Sequence, residues 1–250
     1  MGDLTGQTVV ITGAGAGIGQ ALALGFAKQG AHVLALGRSP AGLEETKQRG
    51  ADAAGRIETH VVDVTDAQAL DELFAQLVQQ RGGIDVLINN AAVYPRAPLA
   101  QTPAAEWTGG VATNLNGVAF GCRAAIRNAT ADRKTLILNV GSFAHLAPEP
   151  DSTLYCATKA ALGAFTKALA AELAAMGSNV VVNEWVPGIY KTQMSRFIGD
   201  EPGVAFDHAL EVVRQSRQGP GGRVFLRGGE MLPARSRWSR IKSLLRGGGR

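Results

Sequence analysis

Short β-branched and apolar runs alternate with longer stretches at helical spacing along most of the chain. Residues 8–11, 32–36, 58–62, 84–88, 134–138 and 179–182 are such runs, and 223–226 is a seventh. Near-continuous apolar strands of this length belong to parallel sheets buried on both faces. Between them the pattern predicts helices over 18–28, 40–49 and 66–80. The last is capped by Asp66 and carries Leu70, Leu73, Phe74, Leu77 and Val78 at helical spacing. A helical stretch over about 104–129 and another carrying Tyr155 to about Met176, stopped by Gly177, complete the set. Such alternation specifies an α/β fold, a doubly wound parallel sheet of about seven strands with helices on both faces. Gly13, Asp63, Asn90, Ser142 and Pro187-Gly188 each follow a predicted strand. They are therefore expected to converge on one rim, where such sheets bind ligands.

With 250 residues and 46% hydrophobic content the chain buries one full core. A single domain is expected over residues 1–232, with a basic tail over 233–250. The net charge is +4, but residues 211–250 carry ten Lys/Arg against two acids, so the basicity belongs to the C-terminal end. The body therefore gives no reason to expect a nucleic acid partner. The first residues show no signal-peptide pattern and no apolar run reaches a membrane span, so a cytoplasmic protein is expected. Cys122 and Cys156 are then free thiols rather than a disulfide.

Two constellations carry chemistry. Residues 12–19, Thr-Gly-Ala-Gly-Ala-Gly-Ile-Gly, follow a strand and open a helix. Gly13 permits the tight turn, while Gly17 and Gly19 let a diphosphate approach N–H groups at the positive helix end. Tyr155 and Lys159 stand four apart on one helix face, which lets the ammonium favour the phenolate. A phenol so tuned gives or takes the proton of an alcohol.

Together Thr12-Gly-X3-Gly-X-Gly, Asn89-Asn90-Ala91-Ala92, Asn114, Ser142, Tyr155-X3-Lys159 and Pro187-Gly188 resemble the short-chain dehydrogenase/reductase family over about residues 5–195. The resemblance implies a single Rossmann-like domain, NAD(H) or NADP(H) as cofactor, no metal, and assembly as a homodimer or homotetramer. It makes Tyr155 the acid/base, and Lys159 the group that binds the nicotinamide ribose and lowers the tyrosine pKa. Ser142 then hydrogen-bonds the substrate oxygen, and Asn114 holds a proton-relay water. Gly13, Gly17, Ile18, Gly19 and Asn90 fall at the cofactor, with Asp63 and Val64 at adenine. Pro187, Gly188 and Thr192 fall at the carboxamide. Asp63 has a second reading, as the cap of a turn before Asp66. After the second strand, where an acidic residue would select NAD(H), stands Arg38, which suits a 2′-phosphate; NADP(H) is preferred and NAD(H) is the alternative.

The chain departs from the family in three places. Ala92 replaces the last glycine of Asn-Asn-Ala-Gly, which narrows the approach to the adenosine ribose. Only about thirty residues separate Thr192 from Val224, where the family usually carries a pair of lid helices, so a short lid is expected. The substrate pocket is then open or completed by another subunit. His145, Trp185 and Tyr190 either face that pocket or fill surface, core and loop positions. The basic stretch 235–246 reads as an exposed or subunit-docked tail, with an anionic membrane surface or acidic partner as the other reading. The expected activity is interconversion of a secondary alcohol and a ketone on a small-molecule substrate. The alternative is a cofactor-binding regulator or scaffold that kept the fold without turnover.

Overall fold

The computed structural model describes residues 4–232; the basic tail over 233–250 lies outside the described residues. Seven of the strands follow the apolar runs: β1 (Thr8–Thr12), β2 (His32–Gly37), β3 (Arg56–Val61), β4 (Val86–Asn89), β5 (Thr135–Val140), β6 (Val180–Val186) and β7 (Val224–Leu226). They pair in parallel in the order β3-β2-β1-β4-β5-β6-β7. An eighth, β8 (Gly229–Glu230), returns antiparallel to β7 through a turn in which Arg227 adopts φ 51°. The strand order reverses between β1 and β4, the switch point at which open α/β sheets bind ligands.

Alternate residues of each strand face opposite layers, so both faces must be covered. Val9, Ile11, Val33, Ala35, Val86 and Ile88 pack under α1 (Gly17–Lys28), α2 (Pro40–Arg49) and α7 (Gly203–Arg217). Val10, Leu34, Leu36, Leu87 and Ile137 pack under α3 (Ala67–Arg81), α5 (Gly117–Arg127) and α6 (Thr153–Ala175). Asp66 caps α3 by accepting from the Gln68 and Ala69 N–H groups. The stretch predicted as one helix over 104–129 is α4 (Ala104–Val111) and α5 joined by a π-helical turn, Ala112–Asn116. One helix, α7, lies between β6 and β7, and it packs on α1, with Phe206 edge-on to Phe26 at 5.2 Å. It covers the sheet, so among the described residues no lid helix remains, and residues 189–202 form the segment between β6 and α7. Among the described residues no helix is long and apolar enough to cross a membrane.

Candidate active site

β1 leads into a turn that demands glycine. Gly13 (φ 68°) and Gly17 (φ 55°) both lie in the left-handed region. At Gly19 there is no room for a side chain: a Cβ would run into the Gly13 carbonyl oxygen and stand 2.6 Å from Asn90 Nδ2. Asn90 ties the turn to β4. Its N–H donates to Thr12 Oγ1 and its Nδ2 to the Thr12 carbonyl, both at 2.9 Å. The Asn90 side chain is therefore spent on the turn rather than held out towards a ligand. Ile18 is half-buried and anchors the turn on the core. No side chain caps α1 at Ala16, so its first-turn N–H groups are left for an anion. The Thr192 methyl closes over this turn, 3.1 Å from where a Gly17 Cβ would stand. These features fit a dinucleotide diphosphate.

Farther along the rim, Arg38 and Asp63 face each other with Nη1 and Oδ2 3.7 Å apart, both partly exposed. Asp63 Oδ1 accepts from the Thr65 N–H and hydroxyl, each at 2.9 Å, so the turn-capping role and the rim position both hold. Burial pushes the Asp63 carboxyl up, but the Thr65 hydrogen bonds and the Arg38 charge outweigh it and hold it below its usual value. The Val64 side chain is buried, with Cγ2 against Gly117 of α5, so it offers a ligand only its main chain.

The serine, tyrosine and lysine expected to carry the chemistry meet where β5 ends and α6 begins. Ser142 caps the short turn Phe143–His145 by accepting from the Ala144 N–H at 3.1 Å, and its hydroxyl hydrogen-bonds Tyr155. Lys159, one turn along α6, is fully buried and donates to the Val140 carbonyl at 2.7 Å. Its Nζ stands 5.6 Å from the Tyr155 ring centre. Burial lowers its pKa to about 8, against the opposing pull of the Glu184 carboxylate. Burial pushes the Tyr155 phenol up, and the Ser142 hydrogen bond only partly offsets this. The expected lowering of the tyrosine pKa by Lys159 is thus corrected here: burial wins, and the phenol keeps its proton at neutral pH. Asn114 sits buried in the π turn. Its Oδ1 accepts from the Val93 N–H at 2.8 Å, and its Nδ2 donates to the Val93 carbonyl (2.9 Å) and Thr158 Oγ1 (3.2 Å).

Gly188 (φ 102°) turns the chain after β6, and Pro187 accepts from the Tyr190 hydroxyl at 2.7 Å. Of the two aromatics weighed as pocket residues, both belong to the core. Trp185 is fully buried and donates Nε1–H to the Arg227 carbonyl at 2.8 Å; Tyr190 is buried against His208. The side chain of His145 lies outside the described residues.

Three residues at the site went unread in sequence. Tyr94 stacks face-on on Tyr155, with ring centres 4.1 Å apart and planes 14° apart. Arg96 lies over the Tyr94 ring at 4.3 Å and pairs with Glu149 at 2.7 Å. Both stand in a loop without periodicity, and only tertiary structure brings them onto the tyrosine. Glu184 is the third, a carboxylate inside a strand. A cavity of about 420 Å³ beside this stack is lined by Tyr94, Arg96, Gln193, Met194 and Arg196.

A sequence profile of the family described as short chain dehydrogenase matches residues 7–203. A 3-oxoacyl-[acyl-carrier-protein] reductase of Thermotoga maritima is 34% identical over 216 residues, 86% of each chain. A gluconate 5-dehydrogenase of Gluconobacter oxydans is 36% identical over 201 residues, 80% of this chain and 77% of its own. Among solved structures, a metagenomic short-chain oxidoreductase in complex with NADP superposes with a TM-score of 0.78 at 29% identity, covering 90% of this chain and 98% of its own. Glycine turn, serine, tyrosine and lysine stand together at the rim of a doubly wound sheet, and sequence and fold both find relatives of one family: the chain belongs to the short-chain dehydrogenase/reductase family of nicotinamide-dependent oxidoreductases.

Proposed function

We propose that the protein interconverts a secondary alcohol and a ketone on a small molecule, with NADP(H) preferred and Tyr155 as acid and base. The observation that carries this reading is the Ser142–Tyr155 hydrogen bond beside buried Lys159, at the end of the sheet that holds the glycine turn. The first-turn N–H groups around Gly13, Gly17, Ile18 and Gly19 would hold the diphosphate. Arg38 would meet the 2′-phosphate, and Asp63 with the Val64 main chain would meet adenine. The Asn90 segment would flank the adenosine ribose, Lys159 and Tyr155 would bind the nicotinamide ribose, and Pro187, Gly188 and Thr192 would hold the carboxamide. Held there, the dinucleotide would supply hydride chemistry at its nicotinamide ring.

The chain supplies the rest. Ser142 holds the substrate oxygen and stabilises charge developing on it. A phenol that keeps its proton at neutral pH is ready to donate it, so Tyr155 is set for the reductive direction. Both Nδ2 hydrogens of Asn114 and one Oδ1 lone pair are used on Val93 and Thr158, so a relay water would be held mainly through its main-chain carbonyl. Arg38 is 61% exposed, which leaves its fork open to a phosphate and supports NADP(H) over NAD(H). NAD(H) fits the same seat without that contact. Ile189, Met194, Phe197 and Ile198 are exposed along the lidless segment. They support a homodimer or homotetramer in which another subunit covers this rim. The test is Tyr155→Phe. NADPH titration by fluorescence is expected to be near wild type, while turnover over a panel of carbonyl compounds falls by at least about 100-fold. Full turnover in that variant would sink the mechanism.

A further inference from the structure

The Glu184 carboxylate has no part in the reaction as read above. It lies on β6, in register with Asn139 of β5 and Val224 of β7, and is 4% exposed. A carboxylate so buried loses its hydration and must be held by charge or hydrogen bonds. Two glycines show where it points. A Cβ on Gly141, the residue before Ser142, would run into Oε1. One on Gly163, a helical turn beyond Lys159, would stand 3.1 Å from Oε2. The carboxylate thus fills a space kept open between the end of β5 and the catalytic face of α6. The Lys159 ammonium reaches the same end of β5, where it is bonded to the carbonyl of Val140, the residue before Gly141.

We propose that Glu184 is the counter-ion of Lys159, a positioning residue that keeps the buried ammonium charged beside Tyr155. Burial already brings the lysine to about 8 with Glu184 opposing it, so loss of the carboxylate takes it lower, towards a neutral amine with no field to exert. Groups from the other packed elements do not replace it. Tyr155 and Cys156 lie on α6 itself, Cys156 bonded to the Ala144 carbonyl, and Tyr94 enters from the loop after β4. Arg223, before β7, gives the Glu184 N–H its carbonyl but sends its guanidinium to Glu230 and the Gln215 carbonyl. The Glu184 carboxylate is the charge that pulls Lys159 back up against its burial.

The kinetic arm of the test rests on the proposed function; the stability arm does not. Glu184→Gln keeps shape and removes charge. At neutral pH it is expected to lower Tm in the wild-type background and to leave it unchanged or raised in Lys159→Met. Equal losses in both backgrounds overturn the pairing whether or not any carbonyl is reduced. If Glu184→Gln alone does not fold, recovery in Lys159→Met supports the pair, and failure in both overturns it. In the kinetic arm, the alkaline limb of the kcat/KM profile is expected to move down by at least about one pH unit. Glu184→Asp retains the limb, and an unmoved limb in Glu184→Gln overturns the proposal. A coupled Tm without turnover in wild type counts against the proposed function and for the pair.

Discussion

Gly19→Ala decides whether the first turn of α1 is a dinucleotide seat or only a tight turn. The new Cβ would run into the Gly13 carbonyl oxygen and stand 2.6 Å from Asn90 Nδ2, and neither neighbour can step aside. Asn90 Nδ2 is held by the Thr12 carbonyl at 2.9 Å, and Gly13 is pressed so close to Ala91 that its own Cβ would stand 2.9 Å from the Ala91 Cα. Overpacking against fixed atoms costs about 1–3 kcal/mol, and a displaced Asn90 amide adds about 1 kcal/mol. Gly17→Ala is the control. Its Cβ meets only the Thr192 methyl at 3.1 Å, so its main cost is the left-handed backbone at φ 55°, about 1 kcal/mol. Urea unfolding is expected to place Gly19→Ala at least about 1 kcal/mol below Gly17→Ala. Widening the turn also withdraws N–H groups from the diphosphate, each charge-assisted bond being worth about 1.5–3 kcal/mol. NADPH affinity should therefore fall at least about 10-fold in Gly19→Ala. Wild-type affinity in a destabilised Gly19→Ala would refute the seat and leave the turn purely structural.

Arg38→Ala should weaken NADPH binding by about 10- to 100-fold, the loss of one guanidinium–phosphate contact, while leaving NADH nearly unchanged. Equal effects on both in a titration would remove Arg38 from phosphate recognition. Stability should also depend on pH through Lys159. Its folded pKa of about 8 lies below the ordinary 10.5, so in that window the unfolded chain holds the extra proton and stability rises with pH. From about pH 7 to about pH 9 the gain is about 1.4 kcal/mol. Above that, Cys122, pushed up by burial to about 12 from 9.0, opposes the rise, because the unfolded thiol ionises first. Denaturant titrations across this range should show the rise in wild type and not in Lys159→Met; identical slopes would refute it.

What could be read in the sequence, and what could not, divides along physical lines. Parallel strands announce themselves because both faces are buried, so β1, β2, β4 and β5 appear as apolar runs and the motif residues after them fall on one rim. The apolar run predicts a strand ending at Val182, but β6 continues to Val186, because Asn183 and Glu184 interrupt the apolar pattern while remaining buried. No residue type marks a π turn, so the break at Ala112–Asn116 has no sequence signature, although the family resemblance points to Asn114 within it. β8 has two residues and no periodicity to detect. The short lid was legible as a count of residues. That α7 is spent on α1 rather than on the substrate follows only from Phe206 packing against Gly25 and Phe26.

The residues missed at the site share one cause: each is defined by a partner from another element. Tyr94 matters because it stacks on Tyr155, Arg96 because it lies on Tyr94, and Glu184 because two glycines, Gly141 just after β5 and Gly163 on α6, leave it room near Lys159. A motif records which groups do chemistry; the environment that sets their protonation is assembled across the sheet. Tyr155 shows the difference. Its spacing from Lys159 suggests a phenol tuned down by a cation, but nine-tenths of its surface is removed from water, and burial decides the sign. The same burial acts on Lys159 with the opposite effect, lowering it. Because burial raises the acid and lowers the base, both groups drift towards neutrality, and a fixed negative charge near the lysine is the group placed to stop the lysine's drift.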